Sequence, residues 1–217
     1  MTQMFDCGDP EQRRQGIAAA VSAAKGGGLV VLPTDTVYGI GADAFDAEAV
    51  AALLAAKGRG RDMPVPVLVG SWQTIDGLVF PVPSAARDLI EAFWPGALSL
   101  VVRQVPSLQW DLGDSDGTVM LRMPLHPVAI ELLREVGPMA VSSANISGQP
   151  PAVEVAEAQR QLGEQVAVYL DGGPAARRAA STIVDLSGPA PRILRVGPIS
   201  AAAIAAVLGT DPEALLG

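Results

Sequence analysis

Short apolar runs, too brief to be helices, recur from one end of the chain to the other, and only some of the gaps between them carry a helical pattern. That interleaving is the strongest constraint on the fold. Strands joined through a helix can lie parallel, whereas strands joined by a short loop pair antiparallel. The strand-like runs are 29–33, 65–69, 98–103, 118–123, 139–141, 166–170, 181–186 and 192–196. Pro66 puts the second of these near an edge or at a strand start. Asp9-Pro10 opens a helix over 10–25 that Gly26-Gly27-Gly28 stops, and Asp46 caps another over 47–57. Further helices are expected over 84–93, ended by Pro95-Gly96, over 127–136 with Pro127 in its first position, and near 153–162. Ser200 caps a terminal helix that Gly209 closes. Several strand pairs lack an intervening helix, so the expected fold is α/β with a mixed parallel/antiparallel sheet and flanking helices, in one domain over 1–217.

Composition narrows the function classes. The chain has 217 residues, 49% hydrophobic and 18% charged, which supplies a buried core and argues against disorder. Only 4% is aromatic, so Ala, Val and Leu carry the packing. A net charge of −8 argues against a dedicated nucleic-acid binder, because phosphate neutralisation supplies most of such affinity. A local basic pocket for a nucleotide remains compatible with it. Cys7 is the single cysteine, and no Cys/His cluster with metal-ligand spacing occurs, which fits a reducing, cytoplasmic setting. Arg13-Arg14 precede an Ala-rich run that Lys25 ends, which reads as the first helix rather than an export signal. No apolar stretch approaches membrane-spanning length.

Five places carry candidate chemistry. Lys57-Gly58-Arg59-Gly60-Arg61 concentrates three cations just past a helix end. They complement the helix dipole as a cap, or they grip a polyphosphate that the glycines allow close to the backbone. Pro33-Thr34-Asp35-Thr36-Val37-Tyr38-Gly39-Ile40-Gly41 follows a buried strand, where open α/β sheets place ligands. Ser142-Ser143-Ala144-Asn145-Ile146-Ser147-Gly148 lies beyond another strand and reads either as a phosphate-wrapping loop or as a helix cap with a turn. Arg122 interrupts an apolar strand, and needs a carboxylate or phosphate partner if it faces inward. Ser181-Thr182 and Arg195 sit at a strand start and end. His126, the only histidine, precedes Pro127 and reads as a helix cap. No segment matches a P-loop, a dinucleotide fingerprint, a Ser-His-Asp triad or a zinc site.

Taken in order, PTDTVYGIGADAF, KGR, FWPGALSLV, TVMLRMPLHP, SSANISG, STIVDL and ILRVGP resemble the YrdC-type threonylcarbamoyl-AMP synthase family from about Gly28 to Gly197. The resemblance implies a twisted mixed sheet with a deep concave basic groove. It also implies that L-threonine, bicarbonate or CO2, and ATP yield threonylcarbamoyl-AMP and pyrophosphate, the first step of N6-threonylcarbamoyladenosine formation in tRNA. A threonine carbamate is already an anion, so the reaction asks for positioning and charge stabilisation rather than a strong protein base. That suits motifs containing no catalytic histidine.

By this resemblance Lys57 and Arg59 are the catalytic, phosphate-holding cations, with Arg61 a helper. Thr118, Val141 (through its backbone), Ser143, Asn145 and Arg195 complete the ATP site, and Thr36, Arg122 and Ser181 hold L-threonine, with Tyr38 packed over it. Mg2+ is expected with ATP, and no protein side chain is assigned to it. A downstream threonylcarbamoyl-transfer complex and a weak tRNA contact are expected partners. The chain departs from many members at Gly60 and Ser142, where they have Pro, and from longer ones at Met63 and Leu68, where they have Asn and His. It resembles the short members, without an extra C-terminal domain. The competing reading is a non-catalytic YrdC-like protein that binds nucleotide or RNA.

Overall fold

Alternation within single strands shows how the sheet is covered. Val30 and Leu32 join one apolar cluster while Val31 joins another, and Val168 and Leu170 part from Tyr169 in the same way. Side chains of a strand point alternately to its two faces, so the sheet is buried on both. The computed structural model describes residues 1–176 and 179–216. Its ten strands are β1 (Gln3–Asp6), β2 (Val30–Leu32), β3 (Gly39–Asp43), β4 (Val67–Leu68), β5 (Leu98–Arg103), β6 (Thr118–Arg122), β7 (Met139–Ser143), β8 (Val168–Asp171), β9 (Thr182–Asp185) and β10 (Arg192–Arg195). They form one sheet in the order β1-β8-β2-β3-β7-β4-β6-β5-β9-β10. β1 and β2 run parallel to β8, β4 to β6 and β5 to β9, while β2–β3, β3–β7, β4–β7, β5–β6 and β9–β10 are antiparallel. The mixed α/β sheet expected from the sequence is the observed one.

The helices are α1 (Pro10–Lys25), α2 (Ala47–Lys57), α3 (Ile75–Leu78), α4 (Ser84–Phe93), α5 (Pro127–Val136), α6 (Val155–Leu162) and α7 (Ala201–Leu208). α1 and α5 pack through Ile17, Ala20, Ala24, Val128, Leu132 and Leu133 over one face of β8, β2, β3, β7 and β4. The other face is covered by α2, α4, α6 and α7, through residues such as Leu53, Leu89, Ala158 and Ile204. Local chemistry sets the ends of the best-defined helices. Asp9 Oδ1 accepts from the Gln12 amide ahead of α1, and Asp46 Oδ1 accepts from the Glu48 and Ala49 amides ahead of α2. Gly58 ends α2 in the left-handed region (φ 62°), where a side chain would be strained.

Two strands differ from expectation. β1 is short and mostly exposed, with only Met4 and Phe5 apolar, so it has no apolar run to betray it. β3 lies inside the segment read as a ligand loop, which ends at Tyr38 and becomes a strand at Gly39. Glycine is needed there for closeness: a Cβ on Gly39 would stand 2.6 Å from Val141 Cγ1 on β7. The short helical stretch from Trp72 to Leu78 was also not anticipated.

Candidate active site

The face covered by α1 and α5 is left open farther along the sheet, and the residue types change there. In β5, Leu98, Leu100 and Val102 are buried in the covered core, while Ser99, Val101 and Arg103 take the alternate positions. In β6, Val119 and Leu121 join the same core, leaving Thr118, Met120 and Arg122 on the opposite face. Register carries this face from strand to strand: Leu68 pairs with Arg122, Val101 with Met120, and Ser99 with Ile183. The open face floors a cavity of about 440 Å³, within the range of small-ligand sites. Thr34, Thr36, Tyr38 and Gly39 wall one side, Ser142, Ser143 and Asn145 another, and Ser181 and Arg195 a third.

Three arginines, Arg59, Arg122 and Arg195, line this cavity, and no Asp or Glu does so among the described residues. In a chain of net charge −8, that segregation makes the cavity a place for anions. Arg122 is 7% exposed. Its Nε donates to Gly96 O at 2.8 Å, Nη1 to Thr36 Oγ1 at 3.0 Å, and Nη2 to Asp35 Oδ1 at 2.5 Å. Burial lowers its proton affinity and Asp35 opposes that shift. Arg195 donates through Nε to Ser181 O and through Nη2 to Ser181 Oγ, and Ser181 Oγ lies 2.8 Å from Ser99 Oγ. Thr36, Arg122 and Ser181 are thus brought to one cavity, together with Thr34 of the same 33–41 motif and with Ser99, a hydroxyl that no site assignment from the sequence includes. The polar-apolar alternation of Ser99 within β5 was the available signal.

At the other end, Arg59 Nη1 donates to Ser142 Oγ at 3.3 Å, while its buried Nε has no partner. Asn145 Nδ2 donates to Ile146 O and Gln149 O, which orients the amide and leaves the buried Oδ1 without a donor. Both atoms belong to residues of the cavity wall and fit a polar ligand that supplies the missing acceptor and donor.

Four expected residues are placed differently. Lys57, 2% exposed, does not line the cavity; its Nζ donates to Ser143 O at 2.5 Å and Asn145 O at 2.7 Å. It braces the loop that carries Asn145, and burial, then Arg59, push its pKa down to about 8. Thr118 shares the face of Met120 and Arg122 but stands outside the wall, with Oγ1 donating to Ser115 O. Arg61, expected as a helper, is exposed and committed to both oxygens of Asp111 at 2.8 Å, with Asp114 alongside. The cap-or-ligand choice for the 57–61 cluster therefore divides by residue: Arg59 faces the cavity, while Lys57 and Arg61 brace loops. Tyr38 lines the cavity, but its hydroxyl donates to Gly173 O at 2.6 Å and accepts from the Gly172 amide, so it ties two chain segments together. Val141 also lines the cavity, with its amide donating to Pro66 O. His126 stands at the N-cap position of α5 without the side-chain capping bond expected of it, and its buried Nδ1 has no partner.

Fold and cavity define an α/β protein with an arginine-lined cavity of small-ligand size on the uncovered face of its sheet. The Sua5/YciO/YrdC family model, described as telomere recombination, matches residues 22–197. A Mycobacterium tuberculosis protein provisionally named threonylcarbamoyl-AMP synthase is 72% identical over 217 residues, covering 100% of both chains. The Bacillus subtilis threonylcarbamoyl-AMP synthase is 36% identical over 211 residues, which are 96% of this chain and 60% of that protein. The crystal structure of P. abyssi Sua5 complexed with L-threonine superposes with a TM-score of 0.88 at 31% identity, covering 96% of this chain and 61% of that one. The chain belongs to the Sua5/YciO/YrdC family.

Proposed function

We propose that this protein is an L-threonylcarbamoyladenylate synthase. It converts L-threonine, bicarbonate or CO2, and ATP to threonylcarbamoyl-AMP and pyrophosphate, the first step of N6-threonylcarbamoyladenosine formation in tRNA. The observation that carries the reading is a cavity lined by three arginines without a carboxylate, in a chain 72% identical along its whole length to a protein named for this activity. P. abyssi Sua5, whose structure contains L-threonine, supports the amino-acid half of the assignment.

The threonine amine takes up CO2 with loss of a proton, or bicarbonate with loss of water, to give an N-carboxylate. One oxygen of that carbamate attacks the α-phosphorus of ATP, and the bond to pyrophosphate breaks. The nucleophile is already charged, so the protein's contribution is alignment and neutralisation. Arg122, Thr36 and Ser181 are assigned to the threonine carboxylate and hydroxyl. Arg59, Ser143 and Asn145 are assigned to ATP, Arg195 between the two ends, and Lys57 acts through the loop it braces. The cavity wall offers hydroxyl and amide oxygens, and no group of three His, Cys, Asp or Glu among the described residues could hold a metal. Those donors fit a Mg2+ that arrives on the triphosphate and keeps its waters; bound there, it would neutralise charge on the leaving pyrophosphate.

A downstream threonylcarbamoyl-transfer complex, a weak tRNA contact and a cytoplasmic location follow from this reading. No helix among the described residues is long and apolar enough to cross a membrane. The test is pyrophosphate release by purified protein with ATP, Mg2+ and bicarbonate, with and without L-threonine. Release that requires threonine and bicarbonate, with threonylcarbamoyl-AMP detected by mass spectrometry, is expected. Nucleotide binding with no such turnover would instead favour a non-catalytic relative.

A further inference from the structure

Asp35 lies inside the 33–41 motif of the site yet is absent from the cavity wall, although its neighbours Thr34 and Thr36 both line it. It is buried, and its Oδ1 accepts two bonds: from Arg122 Nη2 at 2.5 Å and from the Leu125 amide at 2.9 Å. The carboxylate is therefore anchored by the backbone that follows β6 and pins the guanidinium from behind.

The donor count gives that pin a consequence. A guanidinium has five N–H groups. On Arg122 three are spent on Gly96 O, Thr36 Oγ1 and Asp35 Oδ1, which leaves one on each terminal nitrogen. Two donors on separate nitrogens are what a ligand carboxylate accepts from an arginine fork. Unpinned, a long side chain would sample several rotamers, and a misplacement of about 1 Å at such a contact costs orders of magnitude in function. Arg195 lies near enough to disfavour the Arg122 charge, and the Asp35 carboxylate offsets that repulsion.

We propose that Asp35 is a positioning residue for the amino-acid end of the site: it aims Arg122 at the substrate carboxylate without touching the substrate. The inference rests on the synthase reading for the identity of that substrate.

Asp35→Glu separates geometry from charge, because it keeps the anion and advances it by one methylene. L-threonine and ATP affinities are measured separately by calorimetry on the full chain, beside the melting temperature. Positioning predicts that the threonine Kd rises about tenfold or more while the ATP Kd stays within about twofold. A folded variant with an unchanged threonine Kd, or with both ligands weakened equally, overturns the proposal. If Asp35→Glu does not fold, Asp35→Asn is read by the same split. On an Arg122→Ala background the Asp35 substitution should cost no further threonine affinity, and a persisting loss would show that Asp35 does not act through Arg122. A wild type that binds no L-threonine sinks both readings. One that binds it but makes no adenylate sinks only the synthase reading, and the Asp35 split then stands on the binding data.

Discussion

Arg59 and Asn145 each present a polar atom that the protein itself leaves unsatisfied, Nε in one case and Oδ1 in the other. Leaving a buried donor or acceptor without a partner costs about 1–3 kcal/mol, so such atoms persist where a ligand completes them. Arg122 shows the contrasting situation, with three of its donors met by fixed protein acceptors before any ligand arrives. For Arg59→Ala, adenylate formation is expected to fall about 100-fold, in line with the loss of one charge-stabilising donor, while threonine affinity stays within about twofold. Single-turnover kinetics with calorimetry on the variant would check this, and a near-wild-type rate would remove Arg59 from phosphate stabilisation.

Between elements, the cavity depends on two close approaches. β3 and β7 meet at Gly39 and Val141, which brings Ser142 and Ser143 alongside the segment that carries Thr34 and Thr36. The C-terminal end of α2 is tied to the same loop by Lys57, whose ammonium serves two carbonyls two residues apart. Burial lowers the Lys57 pKa from 10.5 to about 8. Between those values the unfolded chain binds a proton that the folded one has lost, so stability contributed through Lys57 rises with pH over that window. Urea denaturation of wild type and Lys57→Met at pH 8 and pH 10 should show wild type gaining about 2 kcal/mol relative to the variant. Parallel pH profiles for the two proteins would mean that the ammonium is not strained by its burial.

For the whole molecule, an acidic chain has gathered three arginines around a cavity over a stretch of sheet that α1 and α5 leave open. Ligands that bind only the folded state should therefore stabilise it strongly. ATP with Mg2+ at 100 times its Kd is expected to add about 2.7 kcal/mol and raise the melting temperature by about 5–10 °C, measured by scanning calorimetry. Threonine added with ATP should raise it further. Most element types were legible in the amino-acid sequence. α1, α2, α4 and α5 begin and end where their Asp, Pro and Gly signals placed them, because caps and turns act over a few neighbouring residues. The family was legible too, through seven ordered motifs, as were many of the polar residues that line the cavity, though not Ser99. Tertiary structure decided the rest. The order of the ten strands, the existence of short, exposed β1 and glycine-rich β3, and the open face are outcomes of pairing and packing between distant segments. The same non-local contacts decided that Arg59 faces the cavity while Lys57 and Arg61, its close neighbours in sequence, are spent on carbonyls and carboxylates elsewhere. Sequence spacing records which donors are present. Where each one is consumed depends on what the fold brings within about 3 Å of it.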